Sequence, residues 1–279
     1  MEYFTLNNGY KMPMAGIGTF MITPADTEVA VESALRNGVR LIDTANAYMN
    51  ESATGRGIRN SGVPREEIFL VSKLWPTVYE KETAVDEMLA RLGTDYVDVL
   101  FLHQPTDNWR EGYKNIEKAV REGKVRSIGL SNFSEEEVQE AIDTMYIKPQ
   151  LVQVEAHPYY PQTELKKLLA KTGMGLMAWY PLGHGDRTLM QQPVFTELAA
   201  RYGKSNAQII LRWQVQSGNV IFPGSRNPDH IRDNFDIFDF ELTDEDMAKI
   251  AEVDNGTRYY NADPALLAQY KTMELGPDL

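Results

Sequence analysis

The feature that most constrains this chain is a unit that recurs eight times: a short apolar, β-rich run followed by an amphipathic helical stretch. The runs are MAGIGTF (14–20), GVRLIDT (38–44), EIFLVSK (67–73), DYVDVLFLH (95–103), KVRSIGLSN (124–132), PQLVQVE (149–155), GLMAWYP (175–181) and NVIFPGS (219–225). Gly38, Gly93, Gly123, Gly173, Gly203 and Gly218 stand where helices should stop. Eight such repeats without a long break predict an α/β chain whose parallel strands close into a (β/α)8 TIM barrel rather than a doubly wound sheet. Ahead of the first unit, NNG between YFTL and YKMPM is a tight-turn signal, so a β-hairpin should close the bottom of the barrel. After the last unit, TDEDMAKIAEV reads as a further helix, followed by a less regular tail to Leu279. No linker interrupts this order, and residues 1–279 read as one domain.

A barrel of this length needs a large core, and 43% hydrophobic residues supply it. The net charge of −12 repels phosphate backbones, so nucleic acid is not an expected partner. The absence of cysteine excludes disulfides and thiolate metal sites, and the four histidines show no metal-binding spacing, so no metal is expected. The N-terminal MEYFTLNNGYKMPM lacks a basic start and an apolar run. No stretch approaches the roughly 18 apolar residues of a membrane helix. The expectation is a cytoplasmic protein without membrane contact. It should be a monomer, since no long apolar helix face looks unpartnered.

The C-terminal strand ends of a barrel converge on one face, where its chemistry is done. The second strand delivers Asp43 and then Tyr48; the third delivers Lys73 and the fourth His103. These four can therefore meet. A phenol has an ordinary pKa near 10, too high for efficient proton transfer at neutral pH, and a nearby ammonium would lower it. In that arrangement Asp43 holds Lys73 charged, Lys73 tunes Tyr48, and His103 orients a carbonyl. Such a site suits carbonyl reduction, which needs a hydride source the protein itself lacks. GIGTF is no Rossmann fingerprint, because Met21 stands where the third glycine would be. Gly16 and Gly18 read as a tight strand end.

The chain resembles the aldo-keto reductase family over nearly its whole length. GIGTF, DTANAYMNE, VSKLW, LHQP, GKVRSIGLSNF, QVEAHPYYP and AWYPLGHGD carry the resemblance, which runs toward bacterial 2,5-diketo-D-gluconate and methylglyoxal reductase-like members. It implies NAD(P)H-dependent reduction of aldehydes and ketones by a tetrad of Asp43, Tyr48, Lys73 and His103, with Tyr48 as proton donor. It implies cofactor contacts at Gly18, Thr19, Asp43, Ser131, Asn132, Gln153 and Trp179. Further contacts would come from a pyrophosphate strap at Pro181, Leu182, Gly183 and Asp186, and from Ser225, Arg226, His230 and Asn234. Substrate would meet Phe20, Tyr48, Trp75, His103 and Gln104, with a tail residue such as Tyr270 or Met273.

Departures from the family pattern shape two further expectations. Gly224 replaces a lysine that reads the 2′-phosphate of NADPH, and His230 replaces an arginine. Arg226 and Arg232 remain, so NADP(H) is expected over NAD(H), which stays possible. Trp179 replaces the tyrosine usual beneath the nicotinamide, and an indole stacks at least as well. Phe20 and Gln104 replace frequent tryptophans, and the segment from His103 to Trp109 is short. The pocket should be open and suited to small or polar carbonyls.

Taken singly, Asp43 reads as a helix cap, Lys73 as a surface lysine and His103 as a core histidine; their shared face favours the catalytic reading. His157, ahead of a proline, reads as structural, His184 as loop surface and Trp213 as core. Glu51 and Glu155 are candidates to pair with bases near the mouth. Two other functions compete. A Schiff-base lyase would use Lys73 as nucleophile but would need no nicotinamide site. A nicotinamide-sensing binding protein would not need an intact tetrad.

Overall fold

The computed structural model describes residues 1–224 and 228–278. The chain opens with the antiparallel hairpin β1 (Tyr3–Thr5) and β2 (Lys11–Pro13). Eight parallel strands follow: β3 (Ile17–Gly18), β4 (Leu41–Asp43), β5 (Phe69–Leu74), β6 (Val97–Leu102), β7 (Val125–Ser131), β8 (Leu151–Glu155), β9 (Gly175–Trp179) and β10 (Asn219–Ile221). Each pairs with the next in chain order. The circle closes where Ala15 bridges Ile221, with Gly16 N donating to Ile221 O at 2.8 Å and Ile221 N to Met14 O at 2.9 Å. The expected (β/α)8 barrel is therefore present. Its first strand is shorter than the run 14–20 suggested, because Met21 turns the chain with φ 58°.

The helices α1 (Pro24–Arg36), α2 (Glu51–Ser61), α3 (Ala84–Leu92), α4 (Trp109–Arg121), α5 (Glu135–Thr144) and α6 (Thr163–Thr172) fill the first six connections. Then come α7 (Arg187–Met190), α8 (Pro193–Tyr202), α9 (Asn206–Gln216), α10 (Pro228–Phe235), α11 (Asp244–Ala251) and α12 (Pro264–Thr272). Their sequences explain their ends. Ser134 and Ser205 make capping boxes at α5 and α9. Gly93 and Gly203 terminate α3 and α8 in the left-handed region, which glycine enters without steric cost. The tail differs from the sequence reading: a regular helix, α12, forms where irregular chain was expected. Asp263 caps it by accepting from Leu266 N at 2.8 Å, and Pro264 occupies its first turn.

Two layers of apolar side chains hold the barrel. Leu41, Val71, Val99, Phe101, Leu151, Met177 and Val220 pack inside it. Phe101 fills the space left by Gly129, where any Cβ would lie 2.2 Å from its ring. Leu6 and Met12 of the hairpin join this inner cluster, and Asn8 reaches Arg126 O and Ser127 Oγ at the start of β7. The hairpin thus plugs the bottom, as expected. The outer layer joins the strands to the helices; Trp109 packs there, and Trp213 packs with α8 and α11. Among the described residues no helix is long and apolar enough to cross a membrane.

Candidate active site

The short strand β4 ends at Asp43, and the chain then makes one turn of 3-10 helix, Asn46–Tyr48, before α2. Two asparagines fix this turn. Asn46 Oδ1 accepts from Trp75 N at 2.9 Å. Asn50, fully buried, donates to Thr19 O at 2.9 Å, Ile22 O at 3.1 Å and Thr27 Oγ1 at 3.2 Å. Thr19 Oγ1 is engaged by Thr44 and Asn50 in the same network. These polar anchors escaped the sequence reading; their spacing to Tyr48 carries no recognisable signature.

Lys73, near the end of β5, is fully buried. Its Nζ donates to Asp43 Oδ1 at 2.8 Å, Asp43 Oδ2 at 2.7 Å and Thr44 O at 2.8 Å. All three ammonium protons are occupied. Burial pushes Asp43 up and Lys73 down, and their mutual contact opposes both shifts. Gln153, two residues from the end of β8, donates to Asp43 Oδ1 at 2.9 Å.

Tyr48 is half-buried, with its ring 5.0 Å from Phe20 and 5.7 Å from His103. Lys73 Nζ stands 4.9 Å from its centre. The expectation that Lys73 lowers the phenol pKa is not met. Desolvation drives it well above its usual value, followed by the Asp43 carboxylate and Tyr180. Burial is the first reason, and cancellation of the Lys73 field is the second. An ammonium at this distance is worth about 3 kcal/mol at an effective dielectric of 20, and the carboxylate in contact with it removes most of that field.

His103 follows β6 and is buried, edge-on to Trp75 at 5.0 Å. Burial first, then Lys73, holds its pKa well below the usual imidazole range, so it is neutral. Its Nδ1 and the Nε1 of Trp75 are buried without a protein partner.

Around these groups, Asn132 adopts φ 66°, donates to His103 O at 3.2 Å and Ser131 Oγ at 3.3 Å, and accepts from Trp179 Nε1 at 3.0 Å. Ser131, Asn132 and Gln153 thus gather hydroxyl and amide groups at neighbouring strand ends beside the Trp179 indole. Such a donor and acceptor set fits a planar ring bearing a carboxamide. Gly18 is required by closure as well: a Cβ there would lie 2.9 Å from Phe222 O. The strap residues Pro181, Leu182 and Gly183 follow β9, with Gly183 in the left-handed region and its Cβ position 2.3 Å from Leu189. Asp186 caps α7 through Thr188 N at 2.7 Å. On α10, His230 is exposed and Asn234 half-buried, one turn apart. Arg232 already bridges Asp229 at 3.0 Å and Asp233 at 3.4 Å. Ser225 and Arg226 lie outside the described residues.

The mouth is more covered than expected. Tyr260 from the tail donates to Gln104 Oε1 at 3.1 Å and packs edge-on to Trp179 at 5.4 Å. Tyr270 of α12 packs against Trp75 at 4.9 Å. Met273 is exposed beyond the helix end. The short segment after His103 leaves room, and the tail fills it. Glu51 and Glu155 are both buried. Glu51 pairs with Arg91 at 2.8 Å and accepts from Ser72 at 2.5 Å. Glu155 pairs with His157 at 2.9 Å.

Comparison with known proteins agrees with this geometry. Residues 14–255 match the aldo/keto reductase family. The chain belongs to that family. Among curated aldo-keto reductase relatives, morphine 6-dehydrogenase of Pseudomonas putida is 44% identical over 273 residues, covering 91% of each chain. Glyoxal reductase of Bacillus subtilis is 41% identical over 258 residues, covering 91% of this chain and 93% of its own. A crystal structure of an aldo/keto reductase from Brucella melitensis superposes with a TM-score of 0.85 at 38% identity, over 91% of this chain and 99% of that one.

Proposed function

We propose that this aldo-keto reductase, one barrel domain over residues 1–279, reduces small aldehyde or ketone carbonyls to alcohols with a nicotinamide cofactor. The observation that carries the reading is the buried Lys73–Asp43 pair beneath Tyr48, facing a neutral His103 with an unpartnered nitrogen. The relatives named for glyoxal and morphine chemistry support a carbonyl–alcohol couple.

The chain's own residues divide the work. Neutral His103 hydrogen-bonds the carbonyl oxygen and orients it. Tyr48, kept protonated by its raised pKa, donates the proton to that oxygen. Lys73 and Asp43 form a fixed, buried pair below the phenol; the Lys73 ammonium is the one cationic group close to the phenolate left after transfer, and Asp43 holds it in place. Ser131, Asn132 and Gln153 hold the carboxamide, Trp179 backs the ring, and the strap from Pro181 to Asp186 covers the phosphates. Gly18, Thr19 and Asn234 complete the cofactor wall. When bound there, the nicotinamide supplies the hydride. Phe20, Trp75, Gln104 and the tail tyrosines enclose the carbonyl compound, which favours small or polar substrates.

NADP(H) is the favoured cofactor. With Arg232 engaged by two carboxylates, phosphate recognition falls to Ser225, Arg226 and His230. Lys73 is unsuited to Schiff-base chemistry, since all three of its protons are bound and a nucleophilic amine needs a free lone pair. We take the protein to be a cytoplasmic monomer; the charge of −12 disfavours nucleic acid, and among the described residues no helix is long and apolar enough to cross a membrane. The test is titration of tryptophan fluorescence with NADPH and NADH, followed by turnover on glyoxal and simple ketones. No binding of either cofactor would sink the reading.

A further inference from the structure

One buried carboxylate holds two sides of the site together. Glu155, the last residue of β8, is 2% exposed. Its Oε1 accepts from Tyr259 N at 2.6 Å and its Oε2 from Tyr260 N at 3.0 Å, across more than a hundred residues of chain. His157 Nε2 donates to Oε1 at 2.9 Å, and the His157 ring packs 4.9 Å from Tyr259. The other ring nitrogen, Nδ1, is buried and unpartnered, so His157 is used here only to complete the carboxylate's shell.

The two tyrosines seated on Glu155 reach in different directions. Tyr259 donates to Asp186 Oδ2 at 2.7 Å, and its ring lies 3.5 Å from the Cβ position of Gly183. Both partners belong to the strap. Tyr260 donates to Gln104 Oε1 at 3.1 Å, next to His103, and its phenol, held up in pKa first by burial, lies close enough to that of Tyr270 of α12 to be held up further by it; Tyr270 in turn packs on Trp75. Both of these belong to the roof of the mouth. A dipeptide has little freedom between its side chains once both backbone amides are fixed. Movement of the strap therefore reaches the roof through Glu155.

We propose that Glu155 is a positioning residue that couples the strap to the roof, so that closing one favours closing the other. The idea rests on the proposed function, in which the strap covers the cofactor and the roof covers the carbonyl compound. By linkage, each ligand then tightens binding of the other by the same factor. Glu155 touches neither ligand; it acts through Tyr259 and Tyr260.

Hydrogen exchange on the unliganded protein tests the coupling without reference to activity. Glu155→Gln should speed amide exchange in both the strap (181–188) and α12 (264–272) by about tenfold, as loss of an anchoring bond predicts. Tyr259→Phe should speed the strap alone, and Tyr260→Phe should speed α12 alone. If Glu155→Gln loses its cooperative melt, Glu155→Asp carries the same expectation. A Glu155 variant that speeds only one segment, or neither, overturns the coupling.

Ligands add an independent arm. NADPH should slow exchange in the strap and in α12 of the wild type, and in the strap only of Glu155→Gln. That variant should also raise both the cofactor Kd and the carbonyl KM while kcat changes little, a split that general loosening of the fold would not produce. If NADPH leaves even the wild-type strap unchanged, the functional reading fails, while the unliganded exchange still decides the coupling.

Discussion

Lys73 Nζ stands 4.9 Å from the centre of the Tyr48 ring while spending every proton it has on Asp43 and Thr44. Its charge is thus half of a buried dipole, and Tyr48 remains a protonated phenol. The phenol therefore enters the reaction carrying its proton. Tyr48→Phe should lower kcat for carbonyl reduction by about 10²–10⁴, the usual worth of a positioned general acid. Cofactor binding, followed by fluorescence, should stay within a factor of about two. Reduction at the wild-type rate by the variant would mean another group is the acid.

Asp43→Ala should unfold the protein more easily, by about 3–5 kcal/mol, because it leaves a buried ammonium without its counter-charge. Adding Lys73→Met should recover a good part of that loss. Thermal melts of the two single variants and the double variant measure the cycle. Strict additivity would show that the pair is not coupled in the way its bonds indicate.

Glu51 gives a pH dependence that can be read in advance. Desolvation outweighs Arg91 and Ser72 and pushes its carboxyl up to about 7 from 4.5. Between these values the folded state binds a proton that the unfolded state has released. Its contribution to stability is therefore full below about pH 4.5 and is lost as pH rises through 7, some 3 kcal/mol in all. Glu51→Gln has no such titration. Denaturant melts at pH 5 and pH 8 should show the wild type losing about 3 kcal/mol more than the variant; equal losses would place the carboxyl's pKa near its ordinary value.

Gly224 follows β10 ahead of α10 in the chain, and among the described residues a Cβ there would approach Gly18 alone, with its O at 3.1 Å. Gly224→Lys should therefore be accommodated with a small shift. It should tighten NADPH relative to NADH by about tenfold, the worth of one charge-assisted hydrogen bond to phosphate. Paired titrations of wild type and variant give the ratio, and an unchanged ratio would move phosphate recognition away from this position.

The parts of the molecule legible in the sequence are those encoded locally. The strand runs end in Asp43, Lys73 and His103 because a barrel strand points its last residues at the mouth, and the glycines that stop α3 and α8 show as punctuation. Two kinds of feature were not legible. One is the sign of the Tyr48 shift, which depends on burial and on the Asp43 charge cancelling that of Lys73. The other is the tail. Asp263-Pro264 was a readable helix start, but the docking of Tyr259 and Tyr260 on Glu155 joins residues 104 and 105 positions apart, with no pattern at either end. The expected open pocket failed for the same reason: what covers it arrives from a distant part of the chain.

The seam between Ala15 and Ile221 has a consequence for how the protein is made. The circle closes by a narrow contact whose two sides lie 206 positions apart, since 221 − 15 = 206. During synthesis the N-terminal hairpin and β3 leave the ribosome long before β10 exists. Until then the nascent sheet carries an open parallel edge, the kind of surface that recruits wrong partners. Arg212, whose guanidinium holds Glu2 beside the hairpin at 2.6 Å, arrives just ahead of β10. Ring closure is thus a late event in the life of the chain, and the β3 edge stays open to wrong partners until β10 arrives.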